Sequence, residues 1–200
     1  MAKKEVLNDS RQRVGTAKGI EVEIDPKTGD RILRRIIRRD PLSGNPTCVV
    51  EQRRASITNR LLFYGKQTLN PENGQVISET GQNYSKGGRL VSRYEKTPTS
   101  TFYIKFDRRT GVKFFSQEEE LDPKSGKCTF LVERMFDRET GEPTSFWGTT
   151  YDPETVSLIS ALHETFKPET GELTLHEEFK VNQKTQKLEL VQSFVPPLEI

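Results

Sequence analysis

His163 and His176 are the only histidines in the chain, and with Glu178 they are its one approach to a metal site. Two imidazoles on adjacent antiparallel strands, with a carboxylate diagonal to them, make a partial ligand set for zinc. Nothing else in the sequence completes it. The expectation is therefore two exposed polar side chains on a charged sheet, with no metal and no other cofactor. Carboxylates cluster in EEEL, at Glu118–Glu120, and in HEEF, at Glu177 and Glu178. A glycosidase needs two such groups flanking a pocket. Acids that recur along a repeating chain fit a solvated charged surface instead. Cys48 and Cys128 make neither a disulfide framework nor a four-ligand zinc site. Both are expected among apolar neighbours and away from the histidines, as small hydrophobes rather than nucleophiles. No phosphate-binding glycine loop, HExxH or GxSxG is present. The catalytic set is empty, and the expectation is a protein that is not an enzyme.

The composition agrees. The chain has 200 residues, 32% hydrophobic and 30% charged, enough for one domain or two small ones. Its mean hydropathy is −0.71, yet 11 Phe argue against disorder. No apolar run approaches the ~20 residues of a membrane helix. The segment MAKKEVLNDSRQR has no apolar stretch to act as a signal peptide. No membrane span is expected, and the expected location is intracellular, cytoplasmic or cytoskeletal.

What would position any functional residue is a repeat. DRRTG starts at Asp107, DPKSG at Asp122, DRETG at Asp137, DPETV at Asp152, KPETG at Lys167 and NQKTQ at Asn182, each 15 residues after the last. DPKTG at Asp25, DPLSG at Asp40 and NPENG at Asn70 keep the same period, with a degenerate copy, ASITN, at position 55. Asp or Asn accepts hydrogen bonds from turn N–H groups, Pro pre-sets φ, and Gly supplies the positive φ that closes the loop. Each motif is a tight hairpin with a four-residue loop. The residues between motifs make strands about ten long. The fold class is all-β, an antiparallel up-and-down meander of about 11 to 13 strands. The segment RILRRIIRR, at Arg31–Arg39, has a more helical spacing of its apolar residues, but turn motifs on both sides make it a strand. The organisation reads as a loose basic segment over 1–18, a first array over 19–91, a connecting insertion over 92–100, a second array over 101–195 and a tail over 196–200. The unit resembles MORN repeats only as a type of Gly-tipped hairpin. The period is shorter here and their Tyr/Trp-Gly motifs are missing, so no function is carried across.

The loop length predicts a register. Asp107 pairs with Val112, Leu121 with Cys128, Tyr151 with Leu158 and Phe166 with Leu173. Alternation from those pairs gives one apolar face, including Phe106, Phe115, Phe130, Val132, Phe136, Trp147, Tyr151 and Phe166, and one wet face. On this register the two histidines lie opposite each other on the wet face. Some residues misfit. Glu119, Arg134, Glu164 and Glu177 fall on the apolar face, while Phe114, Leu131, Phe146 and Ile159 fall on the wet one.

Three architectures bury such a face: a large barrel, a two-sheet sandwich, or an open sheet docked on a partner. In the barrel, Phe115, Phe130, Phe136, Trp147, Tyr151 and Phe166 would line a site for an apolar small molecule. Charge favours the docked sheet. Residues 1–66 carry 15 Lys and Arg against 8 Asp and Glu, a net of +7, and residues 67–200 carry 16 against 21, a net of −5. Arg31, Arg34, Arg35, Arg38 and Arg39, with Arg53, Arg54 and Arg60, make a basic end in which Arg34 faces Glu51, and Arg34, Arg35, Arg38, Arg39, Arg53 and Arg54 are its expected contact residues. The expected function is a non-enzymatic β-repeat scaffold. It docks on a protein assembly with an acidic surface, such as a microtubule, through its apolar face and basic end. Self-association fits the opposed charges of the two ends. Nucleic acid is disfavoured because only Phe63 and Tyr64 lie near the cations to stack bases.

Overall fold

The structure, a computed structural model, describes residues 12–17 as backbone and residues 19–195 in full. Residues 1–11, 18 and 196–200 lie outside it, and with them most of the N-terminal segment and the whole of the tail. The fold is all-β, with no helix among the described residues. Its strands are β1 (Gln12–Ala17), β2 (Ile20–Ile24), β3 (Arg31–Arg39), β4 (Pro46–Arg54), β5 (Leu61–Leu69), β6 (Val76–Tyr84), β7 (Leu90–Lys96), β8 (Ser100–Phe106), β9 (Lys113–Leu121), β10 (Cys128–Phe136), β11 (Pro143–Tyr151), β12 (Leu158–Phe166), β13 (Leu173–Val181) and β14 (Leu188–Phe194). They form one antiparallel sheet in strict sequence order. At ~4.8 Å per strand the sheet is roughly 62 Å wide. The described residues hold more strands than the spacing predicts, because Gln12–Ala17 is a strand and most of the supposed insertion at 92–100 is β7. RILRRIIRR is β3.

The sheet is open and stands as a single layer. β1 and β14 are its two edges, which excludes the barrel. Every extended contact is between strands consecutive in sequence, which excludes the sandwich. The apolar lumen expected of the barrel therefore does not exist.

The turns explain the period. In the turn from Asp122, the Asp122 N–H donates to the Lys127 carbonyl at 2.8 Å and the Gly126 N–H to the Asp122 carbonyl at 2.8 Å. Asp122 Oδ1 accepts from the N–H groups of Lys124, at 3.1 Å, and Ser125, at 2.7 Å. Asp25, Asp40, Asp107, Asp137 and Asp152 accept from the equivalent pairs of N–H groups. These bonds hold the carboxyls of Asp25, Asp40, Asp107, Asp122 and Asp152 below the ordinary value.

The register departs from expectation one residue past the turns. Leu121 faces Cys128, but the next pair is Glu120 with Phe130, which leaves Thr129 unmatched. Phe114, Thr144, Ile159 and Thr174 are unmatched in the same way. Each is a β-bulge, an extra residue that bends and twists its strand. Because side chains alternate, a one-residue slip moves everything beyond it to the other face. Phe106 pairs with Lys113 while Phe115 pairs with Lys105, so the two phenylalanines lie on opposite faces. The expected apolar face is thus divided in two. We call front the face bearing Ile104 and Ser116, and back the face bearing Tyr103 and Gln117, each pair being directly opposed.

Both faces are half apolar and both meet water. Ile32, Cys48, Val50, Ile104, Val132 and Ala161 are the buried apolar residues. Cationic side chains do the covering that a second layer would do. Lys113 Nζ stands 3.6 Å from the centre of the Phe136 ring, Lys105 Nζ 4.8 Å from Phe115, and the Arg134 guanidinium 5.4 Å from Phe146. Each charge is attracted to the face of the ring it stands over. The directly opposed Gly65 and Gly81 are closed over by the rings of Phe63 and Tyr94, which leave no room for a Cβ.

Two predictions follow from the turns. Val156, at φ 62, holds the left-handed conformation that Gly111, Gly126 and Gly141 hold at φ 77, 68 and 80. That conformation costs an L residue about 1–2 kcal/mol. Val156→Gly is expected to stabilise the chain by about 1 kcal/mol, a rise of ~2–4 °C in Tm; an unchanged or lower Tm on thermal denaturation counts against the assignment. The depressed Asp carboxyls contribute stability that is complete above their unfolded value, about 3.9, and lost as pH falls through the lower folded values. Tm is expected to fall steeply below pH 4, and replacing Asp107, Asp122 and Asp152 by Asn is expected to flatten that fall.

Candidate cationic face

The bulges decide which charges share a surface. In β3, Ile36 pairs with Val49 and Arg38 with Cys48, so Ile37 is unmatched. With Thr47 unmatched beside the turn, this second bulge of the hairpin leaves Arg35 and Arg38 on one face although they are three residues apart. On the front of β2–β6 the register collects Arg31, Arg35 and Arg38 from β3, Arg54 from β4 and Lys66 from β5. The carboxylates of these five strands, Glu21, Glu23, Glu51 and Glu79, all lie on the back. Following the Arg35 row across the front gives Val50, Lys66 and Thr80, and the first acid reached is Glu95 in β7.

The front cations are also uncommitted. Arg31, Arg35, Arg38 and Lys66 are exposed, and none of them is in an ion pair with a described residue. Arg54 is half-buried and donates to the Asn59 carbonyl at 3.1 Å. Tyr64, Gln52 and Gln82 stand between the cations and supply neutral polar groups. A shallow groove of about 340 Å³ on this face is lined by Tyr64, Gln82, Arg93, Glu95 and Phe102.

The basic end expected from sequence is therefore split. Arg35, Arg38 and Arg54 are on the front, while Arg34, Arg39 and Arg53 are on the back. On the back, Arg34 Nε donates to Glu51 Oε2 at 2.7 Å, as expected, and Arg39 donates to the Gly44 carbonyl at 2.8 Å. Arg31, already part of the basic end, and Lys66, which the sequence reading missed, complete the front set. Lys66 joins the front only through the bulge at Leu62, where Arg53 pairs with Phe63 and Arg54 with Leu61.

The remaining candidates are dispersed. His163 faces Glu177 on the back, and His176 faces Glu164 on the front, so the histidines do not meet. The bulge at Thr174 is the cause. His163 stacks on Trp147 with ring centres 4.1 Å apart, and its Nδ1 lies 3.1 Å from Glu177 Oε2. His176 lies 3.0 Å from Glu164 Oε1 and 3.3 Å from Glu178 Oε1. No group of metal-ligating residues forms among the described residues. Phe130, Phe136 and Phe166 are on the front, and Phe115, Trp147 and Tyr151 on the back, so they line no common pocket. Cys48 is buried and Cys128 half-buried, on opposite faces, and burial raises the Cys128 thiol above its ordinary value. No helix among the described residues is long and apolar enough to cross a membrane.

No family model matches the chain, and no curated protein matches it in sequence. Among solved structures it is similar to a crystal structure of a protein of unknown function from Bacteroides fragilis. The two share 15% identity over 68% of this chain and 92% of that one, with a TM-score of 0.28. At that level the likeness carries no argument, and the functional reading rests on this chain's own residues.

The hydrogen bonds that His176 donates to the Glu164 and Glu178 carboxylates hold its imidazole above the ordinary value of 6.5. Its contribution to stability is present below 6.5 and is lost as pH rises through the higher folded value. An NMR titration is expected to show His176 titrating above 6.5 and returning toward it in Glu164→Gln. An unshifted His176 counts against the front-face placement.

Proposed function

We propose that this chain is a non-enzymatic β-repeat scaffold that lays the front of β2–β6 against the acidic surface of a larger intracellular assembly. A cytoskeletal polymer such as the microtubule has the required chemistry. The observation that carries the reading is the segregation of charge: five cations and no carboxylate on one side of five strands, with the four carboxylates behind them. Like charges held together without carboxylate partners raise a positive potential that an acidic surface would satisfy. The sheet supports the role mechanically, since each strand is held by its neighbours and a broad flat face stays free.

The test compares the two faces. Co-sedimentation with preformed microtubules is measured for Arg35→Glu/Arg38→Glu/Lys66→Glu and for Arg34→Glu/Arg39→Glu/Arg53→Glu. The front variant is expected to bind at least tenfold more weakly, about 1.4 kcal/mol, with a flatter dependence on salt. The back variant is expected to keep most of its binding. Equal losses, or none in the front variant, defeat the assignment. Binding of the wild type to single-stranded nucleic acid but not to microtubules moves the partner to another class.

A further inference from the structure

We propose that two copies of the chain join edge to edge through β14, the last strands pairing antiparallel about a two-fold axis. Among the described residues β14 has a strand on one side only, and its outward N–H and C=O groups have no ladder partner there. Every residue of β14 is exposed, with Leu190 53% and Val191 56% accessible, and Val195 beyond it 66%. Leu188 and Phe194 complete an apolar edge. An edge of that kind is a template for another strand, and lone edges are ordinarily protected by Lys, Pro, shortness or irregularity. β14 has no Lys, Arg or Pro.

The other edge is built differently. β1 has Arg13 and an interior Gly15. It has the features that discourage pairing, which makes β14 the stickier edge and a second β14 the better partner. Charge agrees with self-pairing. Glu189 is the only ionised side chain in β14 and sits near its start. Antiparallel pairing sends the two copies of Glu189 to opposite ends, where each meets Ser193 or Phe194 rather than its twin. The bulge at Val191 is no obstacle. β9 through β13 each carry one and still pair on both sides. The joined ladder is short, roughly 23 Å per strand, so the expected dimer is concentration-dependent.

Sedimentation velocity on the full chain tests this, from low micromolar to a few hundred micromolar. The wild type is expected to show a closed monomer–dimer equilibrium. Leu190→Lys/Val191→Lys puts two charges on exposed positions and is expected to raise the dimer dissociation constant at least tenfold, with an unchanged circular dichroism spectrum. The single variant Val191→Lys is expected to act in the same direction. A wild type that stays monomeric throughout overturns the proposal, as does a variant that dimerises like the wild type. An open-ended series of larger species also overturns it, since head-to-tail joining of β14 to β1 would produce that series.

Discussion

A carboxylate oxygen accepting two backbone N–H groups, repeated at hairpin after hairpin, is the interaction on which this sheet depends. In the turn from Asp152 the distances are 2.9 Å to the Glu154 nitrogen and 2.7 Å to that of Thr155. The bonds fix the loop at four residues, which fixes where the next strand begins. A single layer has no core against which a misplaced strand could be corrected, so the local closure must be right each time. Neighbouring turns at the same end of the sheet add a second tie. Thr110 Oγ1 donates to the Arg138 carbonyl at 2.8 Å, and Asn45 Nδ2 to the Pro71 carbonyl at 2.8 Å. Such a structure is close to a linear chain of local units, each coupled to the next.

Its composition follows from having two wet faces. A strand in a layered protein shows one face to water, whereas every strand here shows two. The 30% of charged residues is what that surface requires. Burial is supplied sideways, by cross-strand neighbours. Ile104 is flanked by Arg93 and Ser116, and Val132 by Glu118 and Gly148. Both are buried, at 4% exposure each. The sheet is stabilised by many pairwise contacts of ~0.2–1 kcal/mol each. No single large aromatic holds the structure together.

The hairpins were legible because each is local: Asp, Pro and Gly at fixed offsets act on the few bonds around them. Tyr151 with Leu158 and Phe166 with Leu173 form as the loop length requires. The bulges were not read from the residues, and the faces were lost with them. Yet their trace was present in the misfits. Arg134, Phe146 and Glu164 lie in one row across the front, and Glu119 and Leu131 face each other on the back. Phe114 and Ile159 are the unmatched bulge residues themselves. Charged and aromatic misfits that come in opposed sets point to one slipped register rather than to scattered exceptions. Closure of the sheet had no such trace, because whether β14 meets β1 depends on accumulated twist and not on any one residue.

The same one-residue device both dissolves a site and creates one. At Thr174 it sends His163 and His176 to opposite faces and leaves each with a carboxylate in place of the other. At Ile37 it works in the other direction. The bulge near the β3–β4 turn at Thr47 would shift the rows of β3, and the bulge at Ile37 shifts them back. The simple register is therefore restored where Arg34 meets Glu51. Arg35 and Arg38, whose odd spacing would otherwise part them, come to stand together on the front. What the two bulges secure is the separation of paired Arg34 behind the sheet from unpaired Arg35 and Arg38 before it.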